Sequence, residues 1–130
     1  MTVHLTSKDG IAPVAGVPDP ALLVVDDNED NRYTLSLQLN AQGYYNIAIA
    51  TNGLEALSVL HSKPFDLVLL DIMMPELNGY EVLERMRSSP ELRSIPVIMI
   101  SAIGELDSVV RCIELGAEDY LPKPFEPTLL

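Results

Sequence analysis

The chain of 130 residues contains one cysteine, no tryptophan and only eight basic residues. Cys112 has no second cysteine to pair with, so the fold must be stable without a disulfide within the chain, as is usual in a reducing compartment. Nineteen acidic residues against the eight basic ones give a net charge of −11, which repels nucleic-acid phosphates and anionic lipid surfaces. We therefore expect no nucleic-acid partner for this chain.

Long hydrophobic runs are also missing. No apolar stretch approaches the roughly 18 residues of a membrane span, and the N-terminus lacks the basic start and apolar middle of a signal peptide. The sequence therefore predicts a cytoplasmic protein with no membrane partner. Hydrophobic residues still make up 48% of the chain, which is enough for one folded core in a chain too short for two.

The first part of the chain differs in composition from the rest. Residues 1–19 contain prolines and show no sustained helical or strand periodicity, which is typical of a flexible tail. From Pro20 onward, short apolar runs alternate with amphipathic stretches. Residues 20–130 are therefore predicted to form the folded domain.

This alternation predicts an α/β fold. The strands are expected at residues 21–25, 45–50, 67–70, 97–100 and 119–121, and the helices at residues 29–42, 53–61, 80–87 and 105–115. The strands are continuous apolar runs, which is typical of a parallel sheet with helices on both faces. In the second helix, Leu54, Leu57 and either Val59 or Leu60 are expected to face the core.

Segment length decides the assignment of the first helix and of the last helix. The alternation over residues 33–41 would fit a strand equally well, but the segment is too long for a typical strand, and residues 26–28 offer N-capping side chains. After the fifth strand only residues 125–130 remain, so the last helix is expected to be incomplete. Either a partner covers that edge of the sheet or the chain is part of a longer protein, and we favour the second interpretation.

Polar residues directly follow the predicted strands. Asp26 and Asp27 come after the first strand, Asp71 after the third, Ser101 after the fourth and Lys123 just beyond the fifth. Each position alone is weak evidence, because strand ends are often polar and aspartate often caps helices. In open parallel sheets, however, ligands bind beyond the carboxyl ends of the strands. Together these residues predict a binding site at one edge of the sheet.

The composition of this group favours phosphoryl chemistry with a magnesium ion. Three carboxylates would repel one another unless a cation neutralised them, and Mg²⁺ prefers such oxygen ligands. Lys123 and Ser101 could contact the peripheral oxygens of a phosphoryl group. No histidine or cysteine joins the group, so a zinc site or a cysteine or histidine nucleophile is disfavoured. The remaining nucleophile is a carboxylate.

Four stretches make the interpretation more specific: LLVVDDNEDNR, LVLLDIMMPELNGYEVL, IPVIMISA and GAEDYLPKPF. They resemble the signature stretches of the receiver domain of bacterial two-component response regulators, of the chemotaxis-regulator type. The resemblance runs from about Ala21 to Phe125. It implies a flavodoxin-like, three-layer fold with five parallel strands in the order 2-1-3-4-5.

The resemblance also implies roles for the residues at the predicted edge. Asp71 matches the phospho-accepting aspartate, and Lys123 matches the lysine that contacts the phosphoryl group. Asp26 and Asp27 match the acidic pair that binds Mg²⁺ together with Asp71. Met73 stands where a backbone carbonyl completes the metal site.

Further positions match the parts of the family that transmit and end the signal. Ser101 matches the switch hydroxyl, which also takes part in catalysis, and Tyr120 matches the switch aromatic residue. Met73 and Ile103 stand at the two positions that flank the hydrolytic water. Because both side chains are apolar, we expect them to slow dephosphorylation.

The function implied by the resemblance is that of a phosphorylated signalling switch. A sensor histidine kinase or a phosphotransfer protein would donate the phosphoryl group, and a downstream effector would respond. A homodimer could form through the face made by the fourth helix, fifth strand and fifth helix. Apart from catalysing its own phosphorylation and dephosphorylation, the domain is not expected to be an enzyme.

Three other classes of protein are alternatives to a phosphorylated switch. A flavodoxin-like electron carrier would need a hydroxyl-rich phosphate loop where this chain has DDNED. A phosphatase with an aspartate nucleophile would need a second acid two residues later, where this chain has Met73. The third class is a receiver-like interaction module that works without phosphorylation. It remains an alternative, and an assay with acetyl phosphate and Mg²⁺ distinguishes it.

Overall fold

The computed structural model describes residues 19–102 and 106–123, except the side chains of residues 101, 102, 106–108, 122 and 123. Three expectations therefore lie outside the described residues: the tail over residues 1–19 except its last residue, Ile103, and the incomplete last helix over residues 125–130. Within the described part, no helix is long and apolar enough to cross a membrane.

Strands and helices alternate along the chain, as the sequence predicts. The elements are β1 (Leu22–Val25), α1 (Glu29–Ala41), β2 (Ile47–Ala50), α2 (Gly53–Ser62), β3 (Leu67–Asp71), α3 (Gly79–Ser88), β4 (Val97–Ala102), α4 (Leu106–Glu114) and β5 (Asp119–Lys123). The five strands form one parallel sheet in the order β2-β1-β3-β4-β5. The predicted fold class and strand order are confirmed.

The differences from the prediction are small and local. β3, β4 and β5 extend beyond their apolar runs. Asp71, Ser101 and Lys123 therefore lie within the C-terminal ends of their strands rather than after them. The expectation that Leu54 faces the core is wrong, because its side chain is 54% exposed. Ala56 takes its place on the inward face of α2, one helical turn before Leu60, which is buried as predicted. Leu57 and Val59 are partly buried and pack against the same core.

Each face of the sheet has its own apolar core. Alternate residues of β1 point to opposite faces, as expected for a strand buried on both sides. On one face, Leu23 and Val25 pack with side chains of α2, α3 and α4. On the other face, Leu22 and Val24 pack with Leu35 and Leu39 of α1. This double burial fixes the register of β1, and with it the position of the residues that follow the strand.

Asparagine side chains begin three of the helices. Asn28, Asn52 and Asn78 each accept a hydrogen bond from the backbone N–H three residues later, at 3.0, 2.8 and 3.0 Å. Asn78 and Glu81 form a complete capping box, because the Glu81 carboxylate also accepts from the Asn78 backbone N–H at 3.0 Å. These caps satisfy N–H groups that have no partner within the helix. The first turns of α1 and α3, next to the carboxyl edge of the sheet, are thereby held in place.

Arg87 ties the C-terminal end of α3 to two neighbouring segments. Its guanidinium donates to the backbone oxygens of Arg93 and Ile95, both at 2.9 Å, and to that of Gly116, with a shortest distance of 2.7 Å. Partial burial lowers the pKa of Arg87, and the charge of Glu118 opposes this shift. The group remains charged at neutral pH, since arginine keeps its proton in proteins.

Replacing Arg87 with lysine is expected to destabilise the fold by about 2 kcal/mol. An ammonium group cannot reproduce the planar fork that reaches three carbonyl oxygens at once. Urea unfolding of the chain measures the loss, with Arg85→Lys on the exposed face of the same helix as the matched control. Equal midpoints for the two variants would show that the Arg87 hydrogen bonds contribute nothing to stability.

Candidate functional site

The carboxyl ends of β1 and β3 lie side by side, and three aspartates meet there. Val25 pairs with Leu70 in the parallel ladder, so Asp26, which follows β1, and Asp71, the last residue of β3, lie at the same level of the sheet. Carboxylate oxygens of Asp26, Asp27 and Asp71 lie within 4.8 Å of one another. The sequence prediction that these three residues come together is borne out by this geometry.

The three aspartates differ in their exposure to water. Asp26 is 3% exposed and Asp71 is 1% exposed, whereas Asp27 is exposed. Asp26 accepts a hydrogen bond from the backbone N–H of Asn28 at 2.9 Å, and its backbone carbonyl accepts one from the Arg32 guanidinium at 2.7 Å. These contacts fix Asp26 at the start of α1. The cluster therefore has a buried side, formed by Asp26 and Asp71, and an open side at Asp27.

This donor set fits a hard divalent cation. Buried like charges this close are unfavourable, and a cation with oxygen ligands relieves their repulsion. Mg²⁺ typically binds one or two carboxylates and keeps several waters, which suits a cluster that is open to solvent on one side. A zinc or thiolate site does not fit, because the one cysteine is buried in the core and burial raises the pKa of the Cys112 thiol, with Arg111 opposing the shift.

Ser101 and Lys123 belong to strands that end at the same edge as the aspartates. In the β4 and β5 ladder, Ser101 pairs with Pro122 and Ala102 with Lys123. On the other side of β4, Asp71 pairs with Ile100. The backbone positions of both residues therefore agree with the prediction, while their side chains and Ile103 lie outside the described part of the chain. Tyr120 pairs with Met99 further down the sheet and packs against the core on the α2 and α3 face.

The loop between β3 and α3 holds the end of β3 against the first turn of α3. The Gly79 N–H donates to the Ile72 carbonyl at 2.9 Å. A side chain at Gly79 would collide with the backbone of Asp71 and Ile72. Glu76 adopts a φ of 67°, in the left-handed region, which turns the chain between the two elements. The end of β3 and the start of α3 are thus in direct backbone contact.

Of this loop, the sequence prediction places only Met73 at the site and does not include the contact between Gly79 and the end of β3. The Asn78 and Glu81 pair has the spacing of a capping box, so that part of the contact could have been found. The need for glycine at position 79 could not have been found from the sequence, because it arises from contact with the end of β3. Met73, in the same loop, is 70% exposed, whereas the next residue, Met74, is 8% exposed and packs in the core.

Comparison with known proteins places this arrangement in a family. The family model described as the response regulator receiver domain matches residues 22–130. The chain belongs to this family. The resemblance stated from the four sequence stretches is therefore confirmed, and the chain is a signalling domain of this type.

Curated relatives are longer proteins. "Probable transcriptional regulator ycf27" of Guillardia theta is 41% identical over 106 residues, which cover 82% of this chain and 40% of that protein. "Transcriptional regulatory protein CpxR homolog" of Haemophilus influenzae is 46% identical over 80% of this chain and 44% of that protein. "Probable cyclic di-GMP phosphodiesterase" of Vibrio cholerae is 44% identical over 84% of this chain and 24% of that protein. The receiver domain thus spans less than half the length of each.

Solved structures agree in fold. The Vibrio cholerae chemotaxis protein CheY4 has a TM-score of 0.78 at 28% identity, covering 85% of this chain and 91% of that chain. The Mn²⁺-bound form of the response regulator Rcp1 has a TM-score of 0.74 at 26% identity, covering 82% of this chain and 83% of that chain. The high coverage of both chains shows that the likeness extends over the whole domain.

The aspartate cluster predicts a stability that depends on divalent cations. Without such cations, Asp27→Asn is expected to raise Tm by about 2–4 °C, because one of three like charges is removed. Added Mg²⁺ should raise Tm of the unaltered chain more than Tm of this variant. Thermal unfolding followed by circular dichroism, with and without Mg²⁺, measures both effects.

Glu84→Gln on the exposed face of α3 is the matched control for this experiment. It removes one negative charge from the same protein away from the cluster. A Mg²⁺ response reduced equally in both variants would mean that the cation acts through overall charge and not at the aspartates.

Proposed function

We propose that Asp71 accepts a phosphoryl group from a sensor histidine kinase or a phosphotransfer protein. Mg²⁺ is held by Asp26, Asp27, Asp71 and the backbone carbonyl of Met73. The observation that carries this proposal is the cluster of three carboxylates within 4.8 Å at the carboxyl edge of the sheet. The Mn²⁺ bound to Rcp1, a structural relative, is additional support for a divalent cation in this fold.

Phosphoryl transfer in this site needs positioning and charge stabilisation more than covalent assistance. A carboxylate oxygen of Asp71 attacks phosphorus in line, while the bond between phosphorus and the histidine nitrogen of the donor breaks and the imidazole keeps the electron pair. Bound Mg²⁺ supplies charge stabilisation to the phosphoryl oxygens. Lys123 neutralises a further part of that charge, and Ser101 donates a hydrogen bond to a phosphoryl oxygen.

The signal then passes from Asp71 to α4 and β5. By analogy with other phosphorylated side chains, the modification adds a charge of about −1.5 to −2 and three acceptor oxygens. Ser101 moves to donate to one of these oxygens, and Tyr120 moves into the space that it leaves. Support comes from the strand order, since β4 and β5, which carry these two residues, are neighbours in the sheet.

The outward face of α4 is proposed as part of the output surface. Val110 and Ile113 expose large apolar side chains there. Exposed apolar side chains next to one another on a helix favour a protein contact over free solvation. The contact is with a downstream effector domain or protein, or with a second copy of the chain through α4 and β5.

In the cell, the domain is proposed to act in the cytoplasm as a phosphoprotein of a two-component system. Its own chemistry is limited to phosphorylation and dephosphorylation at Asp71. The names of two relatives indicate that receivers similar to this one occur in a transcriptional regulator and in a cyclic di-GMP phosphodiesterase. Any further enzymatic or DNA-binding activity would belong to an effector, whose identity the receiver does not specify.

The lifetime of the phosphorylated state is proposed to depend on Met73 and Ile103. Hydrolysis requires a water molecule in line with phosphorus, and polar side chains usually position such a water. Neither of these two side chains can do so. The exposed position of Met73 in the loop after Asp71 supports its part in this proposal.

A receiver-like interaction module without phosphorylation is the alternative. The exposed apolar residues of α4 would serve such a module equally well. The aspartate cluster favours the phosphorylated switch. An interaction module has no use for the two buried carboxylates of Asp26 and Asp71 next to the exposed carboxylate of Asp27.

Phosphorylation at Asp71 can be tested directly. Acetyl phosphate with Mg²⁺ should add one phosphoryl group to the chain, detected by intact-mass spectrometry, and Asp71→Asn should remain unmodified. Chelation of Mg²⁺ should prevent the addition. Equal labelling of Asp71→Asn would place the acceptor elsewhere, and no labelling of either protein would favour the interaction module.

The switch has a separate test in Ser101→Ala. This variant should still be phosphorylated but should lose most of the change in amide hydrogen exchange across residues 105–121 that phosphorylation causes. Ser101→Thr, which keeps a hydroxyl, is the control and should restore the response. A full response in Ser101→Ala would remove the Ser101 hydroxyl from the mechanism.

A further inference from the structure

Met73 differs from the other methionines that the structure describes. Its side chain is 70% exposed, whereas Met74 is 8% exposed and Met86 and Met99 are fully buried. The side chain of methionine is a thioether, which oxidises readily. Accessibility alone therefore separates Met73 from the three buried methionines.

The position of Met73 connects it with the aspartate cluster. It lies two residues after Asp71, so their Cα atoms are at most about 7.6 Å apart. The loop around it is anchored, since Met74 packs in the core and Gly79 binds the Ile72 carbonyl. A change in the chemistry of the Met73 side chain therefore takes place beside the cluster, and it does not require the loop to unfold.

We propose that Met73 is a redox-modification site at which a peroxide sets the lifetime of the phosphorylated state. The sulfur lone pair attacks one oxygen of hydrogen peroxide, the O–O bond breaks and an S=O bond forms. The second peroxide oxygen takes up the proton of the transferred oxygen and leaves as water. The sulfur is thereby oxidised and the peroxide is reduced. Methionine sulfoxide reduction reverses the modification.

The effect of Met73 oxidation on the lifetime of the phosphorylated state rests on the proposed phosphorylation of Asp71. The thioether is apolar and cannot hold a water molecule, whereas a sulfoxide oxygen is a strong hydrogen-bond acceptor. A water molecule held there is better placed to attack the aspartyl phosphate. One additional hydrogen bond to that water corresponds to loss of the phosphoryl group about two- to tenfold faster.

The first experiment maps oxidation on the unphosphorylated chain. The chain is treated with dilute hydrogen peroxide in the presence of a metal chelator, and the oxidation of each methionine is followed by peptide mass spectrometry. Met73 is expected to gain one oxygen atom well before Met74, Met86 and Met99, which should react at comparable rates only in urea. Oxidation of Met73 no faster than that of the buried three would overturn the proposal.

The second experiment measures phosphoryl loss after catalase has removed the peroxide. Oxidised and untreated chains are phosphorylated with acetyl phosphate and Mg²⁺, and the decay is followed by intact mass. The oxidised chain should decay about two- to tenfold faster. Met74→Leu, which keeps Met73, should respond to peroxide in the same way, and Met73→Leu should not respond. Met73→Gln should decay faster than Met73→Leu without any peroxide.

The outcomes separate the site from the function on which it rests. Equal decay of oxidised and untreated chains, or an undiminished peroxide response in Met73→Leu, would overturn the effect on lifetime. A chain that takes up no phosphoryl group would overturn that effect and the proposed function together. The oxidation map decides independently whether Met73 is the modified residue.

Discussion

The close approach of Asp26, Asp27 and Asp71 is the constraint on which the rest of the site depends. Two of these carboxylates are almost fully buried, and all three lie within 4.8 Å. Water cannot screen the buried pair well, so its repulsion is relieved only by a cation or by neighbouring donors. The parallel pairing of Val25 with Leu70 imposes this arrangement, because it brings the residues that follow them, Asp26 and Asp71, to the same level of the sheet. The strand register thus brings together carboxylates that are suited to bind a divalent cation.

The backbone contact between β3 and α3 makes the site rigid on its other side. The Gly79 N–H binds the Ile72 carbonyl, and the absence of a side chain at position 79 lets α3 approach the backbone of Asp71. The capping box of Asn78 and Glu81 fixes the first turn of the same helix. The exposed Met73 side chain lies in the same loop and takes part in neither of these contacts.

Features encoded in local sequence were predictable, and features that depend on distant partners were not. The alternation of apolar runs with amphipathic segments was sufficient for the order of elements, and polar residues at strand ends were sufficient for Asp26, Asp27 and Asp71. Leu54 was assigned to the wrong face because α2 is apolar on more than one side, and only packing decides which stripe is buried. Arg87 gave no signal at all, since its acceptors are backbone oxygens of Arg93, Ile95 and Gly116, which any sequence provides.

Two arginines attach α4 and its following turn to α3, and they do so through different kinds of contact. Near the site, the Arg111 guanidinium stacks on the ring of Tyr80, the residue after Gly79, at 4.1 Å from the ring centre. At the far end, Arg87 binds the Gly116 carbonyl while also holding the loop before β4. The Tyr80 ring is buried and Arg111 is exposed, so this contact is an attraction between a cation and a ring face, whereas Arg87 donates charged hydrogen bonds to several carbonyls. A displacement of α4 relative to α3 therefore has to break or rearrange at least one of these two attachments.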